Sequence, residues 1–88
     1  MLFVVHFEIT PAHRDAALER FLKIGDGEPE GVKVLGTWFS VTQLEGWCVV
    51  EAADAMELGA FFHAWTDLNV NHITPVVDEA AMRKLLTN

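Results

Sequence analysis

Two periodicities alternate along this chain. From Leu2 to Ile9, every second residue is apolar (Phe3, Val5, Phe7, Ile9), with His6 and Glu8 between them. A two-residue period rich in β-branched and aromatic side chains predicts a strand. Thr10-Pro11 then opens a helix: Thr is a good N-cap, and Pro at the first helical position gives up no bonded N–H. Leu18, Phe21 and Leu22 supply an i, i+3, i+4 stripe, Gly25 is a natural stop, and Gly25–Gly31 reads as a loop. Val32–Val41 is the second strand, with Gly36 placed for a bulge; Thr42–Gly46 is a turn and Trp47–Ala52 the third strand. Asp54 and Glu57 form a capping-box pattern ahead of Leu58, Phe61, Phe62 and Trp65, the clearest amphipathic stripe in the chain. Val70–Val77 is a fourth strand whose Pro75 suits an edge. Asp78 caps a last helix with Met82, Leu85 and Leu86 on one side.

The order β-α-β-β-α-β, plus a short helix, leaves few topologies. Right-handed crossovers give an α+β, ferredoxin-like domain: a four-stranded antiparallel sheet in the order 4-1-3-2, with both main helices on one face. Alternation assigns the faces. Phe3, Val5, Phe7, Ile9, Cys48, Val50, Ala52, Ile73 and Val77 go under the helices. Leu2, Val4, His6, Glu8, Trp47, Val49, Glu51, His72, Thr74 and Val76 go to the other face. If Val41 stands opposite Gly46, Trp38 and Ser40 join them. No helix remains to cover that second face. So apolar a patch does not stand in water on a monomer, and a second copy is the economical cover. The expected partner is the chain itself, as a homodimer through the sheet.

Composition points the same way. The 88 residues make one domain, 1–88, and 51% of them are hydrophobic. A chain this small hides only about 64% of its unfolded surface on folding, so its apolar content exceeds what one core absorbs. Thirteen acidic against six basic side chains leave a net charge of −7. That is the wrong sign for a nucleic-acid partner, and the apolar runs are too short for a membrane span. The single cysteine, Cys48, forms no internal disulfide, and Met1–His6 lacks the features of a secretion signal, so a cytoplasmic location is expected. The chain shows no phosphate-cradling or dinucleotide glycine motif, no Cys-x-x-Cys and no Gly-x-Ser-x-Gly. No cofactor is expected.

Four segments, Arg14–Lys23, Pro29–Trp38, Ala64–Leu68 and Ile73–Asp78, together with the element order, resemble the dimeric α+β barrel superfamily. Within it the chain is similar to a family of short bacterial proteins known only as a domain of unknown function. In the superfamily, sheets from two protomers close around a central barrel, and a cleft between sheet and helices or loops often holds a small organic molecule. Its members include cofactor-independent monooxygenases, haem-degrading enzymes, lactone isomerases and stress-induced proteins. The resemblance implies binding of an aromatic or polyketide-like molecule in a cleft beside the sheet, with cofactor-independent monooxygenation or isomerisation as the chemistry. The alternative is a non-catalytic dimerisation module, or one that binds a metabolite or protein. The nearer family brings no catalytic residue to carry over.

The residues themselves offer candidates on the uncovered face. His6 and His72 fall on neighbouring antiparallel strands, with Glu51 one strand further over. Two imidazoles and a carboxylate can move a proton from an acidic carbon. With no His-x-His or His-x₃-His spacing, no metal site is expected. Trp38 and Trp47 offer flat faces to an aromatic ligand, with Thr74 a polar neighbour. Against these stands packing: both tryptophans can plug the dimer seam, and both histidines can hydrogen-bond across it. Trp65 extends the second helix's stripe into the core, and Cys48 is a small buried hydrophobe. His63 is spaced to pair with Asp67, and Arg14 and Arg20 are expected as surface charges.

Overall fold

A computed structural model describes residues 1–87; Asn88 lies outside the described residues. The strands are β1 (Leu2–Ile9), β2 (Val32–Phe39), β3 (Glu45–Ala52) and β4 (Asn69–Val76). The helices are α1 (Arg14–Ile24), α2 (Ala55–His63) and α3 (Glu79–Thr87). The sheet runs β2-β3-β1-β4 with every neighbour antiparallel, the expected 4-1-3-2 order read from the other edge. The fold is ferredoxin-like α+β. No described helix is long and apolar enough to cross a membrane.

The core lies between the sheet and the two main helices. Val5 and Val50 are wholly buried at its centre, with Phe3, Cys48, Ala52, Leu58, Phe61, Phe62 and Trp65 around them. Phe7, Ile9 and Ala17 form a second cluster under α1. β1 and β3 occupy the middle of the sheet, so their helix-facing residues are covered from both sides and can be fully apolar. Asp54 caps α2 by accepting from Glu57 N–H at 2.9 Å, and Glu57 returns its carboxylate to Ala53 N–H at 3.0 Å. Asp78 caps α3 through Ala81 N–H at 2.8 Å.

Local readings change where tertiary contacts decide. Thr10 makes no side-chain cap; a 3₁₀ turn over Pro11–His13 starts α1, and Thr10 Oγ1 meets His13 Nδ1 at 3.1 Å instead. Leu22 is 84% exposed, because α1 turns Ala17, Leu18 and Phe21 to the sheet. The hairpin closes earlier than expected. Ser40 N–H donates to Glu45 O at 2.9 Å, and Gln43, at φ 65°, completes a four-residue turn. β3 therefore begins at Glu45, and Phe39 rather than Val41 stands opposite Gly46. A slip of two residues preserves the faces, so Trp38 stays on the uncovered side. The bulge falls as expected, with Leu35 the extra residue between Val34 and Gly36. Ile73 is half-exposed, and Val77 lies beyond the end of β4 and is exposed. β4 is an edge strand that the helices only partly cover. Asp67 pairs with Arg20, not with His63.

Candidate functional site

The two faces of the sheet carry different chemistry. On the uncovered face, one row crosses all four strands: Trp38 opposite Trp47, Trp47 opposite His6, and His6 opposite His72. The His6 ring stacks on Trp47 at 5.4 Å and on His72 at 5.8 Å. Gly36 makes room for this row, since a Cβ there would meet the Trp38 ring at 2.6 Å. Glu8 and Glu45 stand directly opposite each other, one register step away. Like charges so placed repel. Each is met by an imidazole: His6 Nε2 lies 2.9 Å from Glu45 Oε1, and His72 Nε2 lies 3.2 Å from Glu8 Oε2.

The histidine partners are thus Glu45 and Glu8, not Glu51. Glu51 sits opposite Leu2 and Lys33, four residues along β3 from Trp47 and so about 13 Å away. Thr74 pairs with Val4 in the adjacent row. The structure brings Trp38, Trp47, His6 and His72 together and leaves Glu51 apart. Glu45 escapes a sequence reading because it falls in the expected turn. Only the early closure of the hairpin makes it a strand residue.

The helix-side face holds the cleft. The corresponding row there reads Asn71 opposite Phe7, Phe7 opposite Gly46, and Gly46 opposite Phe39. A Cβ on Gly46 would collide with the Phe7 ring and the Trp38 carbonyl. Glycine therefore lets Phe7 lie across β3, where it meets Phe39 edge-on at 5.5 Å; Phe21 of α1 leans on Phe39 from above at 5.2 Å. What remains is a cavity of about 50 Å³ between the sheet, α1 and α2, walled mainly by Phe7, Phe21, Phe39, Phe61, Phe62 and Trp65.

Its polar groups are few and placed by the loop and by β4. Asp26 holds the loop down, with Trp65 Nε1 donating to its carbonyl at 3.0 Å and Thr37 Oγ1 donating to its carboxylate at 3.3 Å. Burial, with the Asp26 carboxylate adding to it, pushes the Cys48 thiol up to about 11, so it stays protonated and is no nucleophile. Asn69 and Asn71, on the helix-facing side of β4, also line the cavity. Asn69 Oδ1 and Asn71 Nδ2 are buried and find no hydrogen-bond partner among the described residues. Each orphaned group costs roughly 1–3 kcal/mol. The sequence places Asn71 opposite Phe7 once the His6–His72 register is accepted, but nothing in it shows that the amide is enclosed.

Beside the cleft, Arg20 closes α1 onto the segment after α2. It reaches Asp67 bidentately at 2.6 and 2.8 Å, donates to Ala64 O at 2.7 Å and lies 5.8 Å over the Trp65 ring. The Arg20 hydrogen bonds hold the Asp67 carboxyl below its ordinary range and raise the Arg20 guanidinium. Among the described residues, no group of three or more His, Cys, Asp or Glu stands where it could hold a metal ion.

Comparison with known proteins supplies a family and a fold. A family model described as "Domain of unknown function (DUF3303)" matches residues 1–88. No curated protein matches the chain. Several solved structures are similar at low identity, among them three crystal structures. A conserved protein of unknown function from Bacteroides thetaiotaomicron aligns at TM-score 0.54 and 15% identity over 83% of this chain and 90% of its own. A NIPSNAP domain protein from Burkholderia xenovorans aligns at 0.51 and 13%, over 90% and 97%. An antibiotic biosynthesis monooxygenase aligns at 0.54 and 13%, over 89% and 100%. At these identities the likeness is one of fold alone, the ferredoxin-like α+β arrangement described above.

Proposed function

We propose, for a chain that belongs to DUF3303, that it is a homodimer binding a small, flat organic molecule in the cleft between its sheet and α1 and α2. The observation that carries this reading is an aromatic-walled cavity whose lining includes Asn69 and Asn71, each with a buried amide atom that lacks a partner among the described residues. Ligand sites are mostly apolar with a few placed polar groups, and native interiors rarely leave such groups unpaired. The solved monooxygenase shares the fold. Among the described residues lining the cleft, the ionisable groups are the Cys48 thiol, held protonated, and the Asp26 carboxylate, which accepts from Thr37. Binding is the role proposed for the cleft itself.

The dimer reading rests on area and shape. A monomer of 9.8 kDa ordinarily exposes about 5,200 Å², and this one exposes 6021 Å². The surplus is close to the roughly 800 Å² that each partner buries in a standard interface. The radius of gyration, 14.4 Å, exceeds the roughly 12 Å of a chain this long. The uncovered face presents Trp38 and Trp47, and α3 holds Met82, Leu85 and Leu86 out to solvent. A second copy covers both.

A second reading assigns chemistry to the barrel that two such sheets would enclose. The stacked His6 and His72, backed by Glu45 and Glu8, form a proton-transfer pair, with Trp38, Trp47 and Thr74 contacting the substrate and Glu51 at the rim.

Nuclear magnetic resonance titration with toluene separates the two. Shifts at Phe7, Phe39 and Asn71 support the cleft. Shifts confined to His6, His72 and Trp47 support the barrel. Light scattering showing a stable monomer at micromolar concentration overturns the homodimer.

A further inference from the structure

The strongest unexplained feature of the molecule is the pair of orphaned amide atoms on Asn69 and Asn71, two residues of the cleft wall, and their arrangement points to a ligand class. We infer that the cleft selects uncharged aromatic molecules bearing a hydrogen-bond donor and an acceptor side by side, such as an aromatic amide, a lactam or a hydroxy-ketone. This rests on the cleft reading above and deepens it.

Asn69 and Asn71 are two residues apart on β4, so both side chains emerge on the same face about 7 Å apart along the strand. One presents an unpaired acceptor, Oδ1, and the other an unpaired donor, Nδ2. A ligand group that only accepts, or only donates, pairs with one and leaves the other orphaned. A group that does both satisfies both. Charge points the same way. Among the described residues lining the cavity there is no Lys or Arg, and the one ionisable carboxylate is Asp26. Arg20, which lies over the Trp65 ring in the cavity wall, is committed to Asp67 and Ala64. A carboxylate ligand would meet no counter-charge and would face Asp26 across an apolar space, where an unpaired charge is strongly disfavoured. The volume of about 50 Å³ suits a polar head of a few atoms, about four waters' worth. The aromatic body then lies at the rim, against the half-exposed Phe21 and the more open Phe39.

The test is a titration of the intact protein with benzamide, toluene and benzoate, read on the side-chain amide resonances of Asn69 and Asn71 and on the melting temperature. Benzamide is expected to bind at least tenfold more tightly than the other two and to move both Asn amide signals. Asn71→Leu and Asn69→Leu are each expected to cost benzamide about tenfold and to leave toluene unchanged, so retained toluene binding shows that the variant cleft is intact. If a variant does not fold, the wild-type ligand order decides alone. No binding of any probe overturns the cleft as a ligand site. Toluene binding as tightly as benzamide keeps the site but overturns the amide selection. Benzoate binding most tightly overturns the preference for neutral ligands.

Discussion

The two faces of the sheet are built from the same four strands and resolve their apolar side chains in opposite ways. On the helix side, Phe3, Val5, Cys48 and Val50 disappear beneath α1 and α2. On the other side, Leu2, Val4 and Val49 stay half-buried, Trp38 and Trp47 are exposed, and His6, Glu8, Glu45 and His72 stand among them. The helix side is a finished core with one gap. The open side is an apolar surface interrupted by a hydrogen-bonded polar row. A surface of that mixture suits a symmetric interface: apolar area drives association, and the carboxylate–imidazole pairs keep the buried polar groups satisfied.

Mutations on the two faces should therefore report in different experiments. The largest loss of stability is expected from Phe61→Ala in the core, roughly 3–5 kcal/mol by chemical denaturation. Val49→Ala, opposite in facing but on the same strand as Val50, should cost well under half of that. Equal costs would mean that the open face is already covered within the monomer. Val4→Asp places a carboxylate in the middle of the open face. It should weaken the dimer about a hundredfold, close to 2.7 kcal/mol, in sedimentation equilibrium, with little change in circular dichroism. Gly46→Ala is expected to cost roughly 1–3 kcal/mol, because its Cβ meets the Phe7 ring and the Trp38 carbonyl. It should also alter ligand titrations in the cleft, whereas Val4→Asp should not.

Two smaller effects follow from proton linkage. The folded-state pKa of Cys48 is raised to about 11, above its value in an unfolded chain, about 8.5. Its contribution is complete below the lower value and is lost as pH rises toward the higher. Wild type should lose stability relative to Cys48→Ala between about pH 8.5 and 11, and the thiol should resist alkylation at pH 8 until the protein unfolds. Asp67 runs the other way. Its folded-state pKa is depressed by Arg20, so its contribution is present above the unfolded value, about 3.9, and is lost as pH falls through the folded value. The stability gap between wild type and Asp67→Asn should be complete at neutral pH and vanish in acid. Asp67 is exposed and Arg20 about a third exposed, so the gap should be small and salt-sensitive.

Much of the architecture was legible in the chain because periodicity and capping are local. Phe3, Val5, Phe7 and Ile9 mark their face by alternation, and Asp54 and Asp78 announce their helices by the N–H groups they accept. The candidate site was legible only in part. The His6–His72 pairing follows from two central strand positions. Of its carboxylates, Glu8 was already on that face, but Glu45 reaches it only through a turn that closes two residues early. A cleft beside the sheet was expected only from the family resemblance; no residue pattern marked its walls. Asn69 lies before the expected fourth strand, Val70–Val77, and nothing in the pattern singles out Asn71 within it. Their enclosure depends on how far α1 leans over Phe39 and on where Phe7 lies.

The sequence by itself determined the element order, the sheet topology and a sheet face without a helix to cover it. Each follows from neighbours along the chain and from the handedness of the crossovers. Only the tertiary structure decided which carboxylates meet the histidines, that Arg20 takes Asp67 from His63, and that a cavity survives with Asn69 and Asn71 in its wall. Those outcomes hinge on register offsets and helix tilts of a few ångströms. Such offsets are set by long-range packing and leave no periodic mark on the chain.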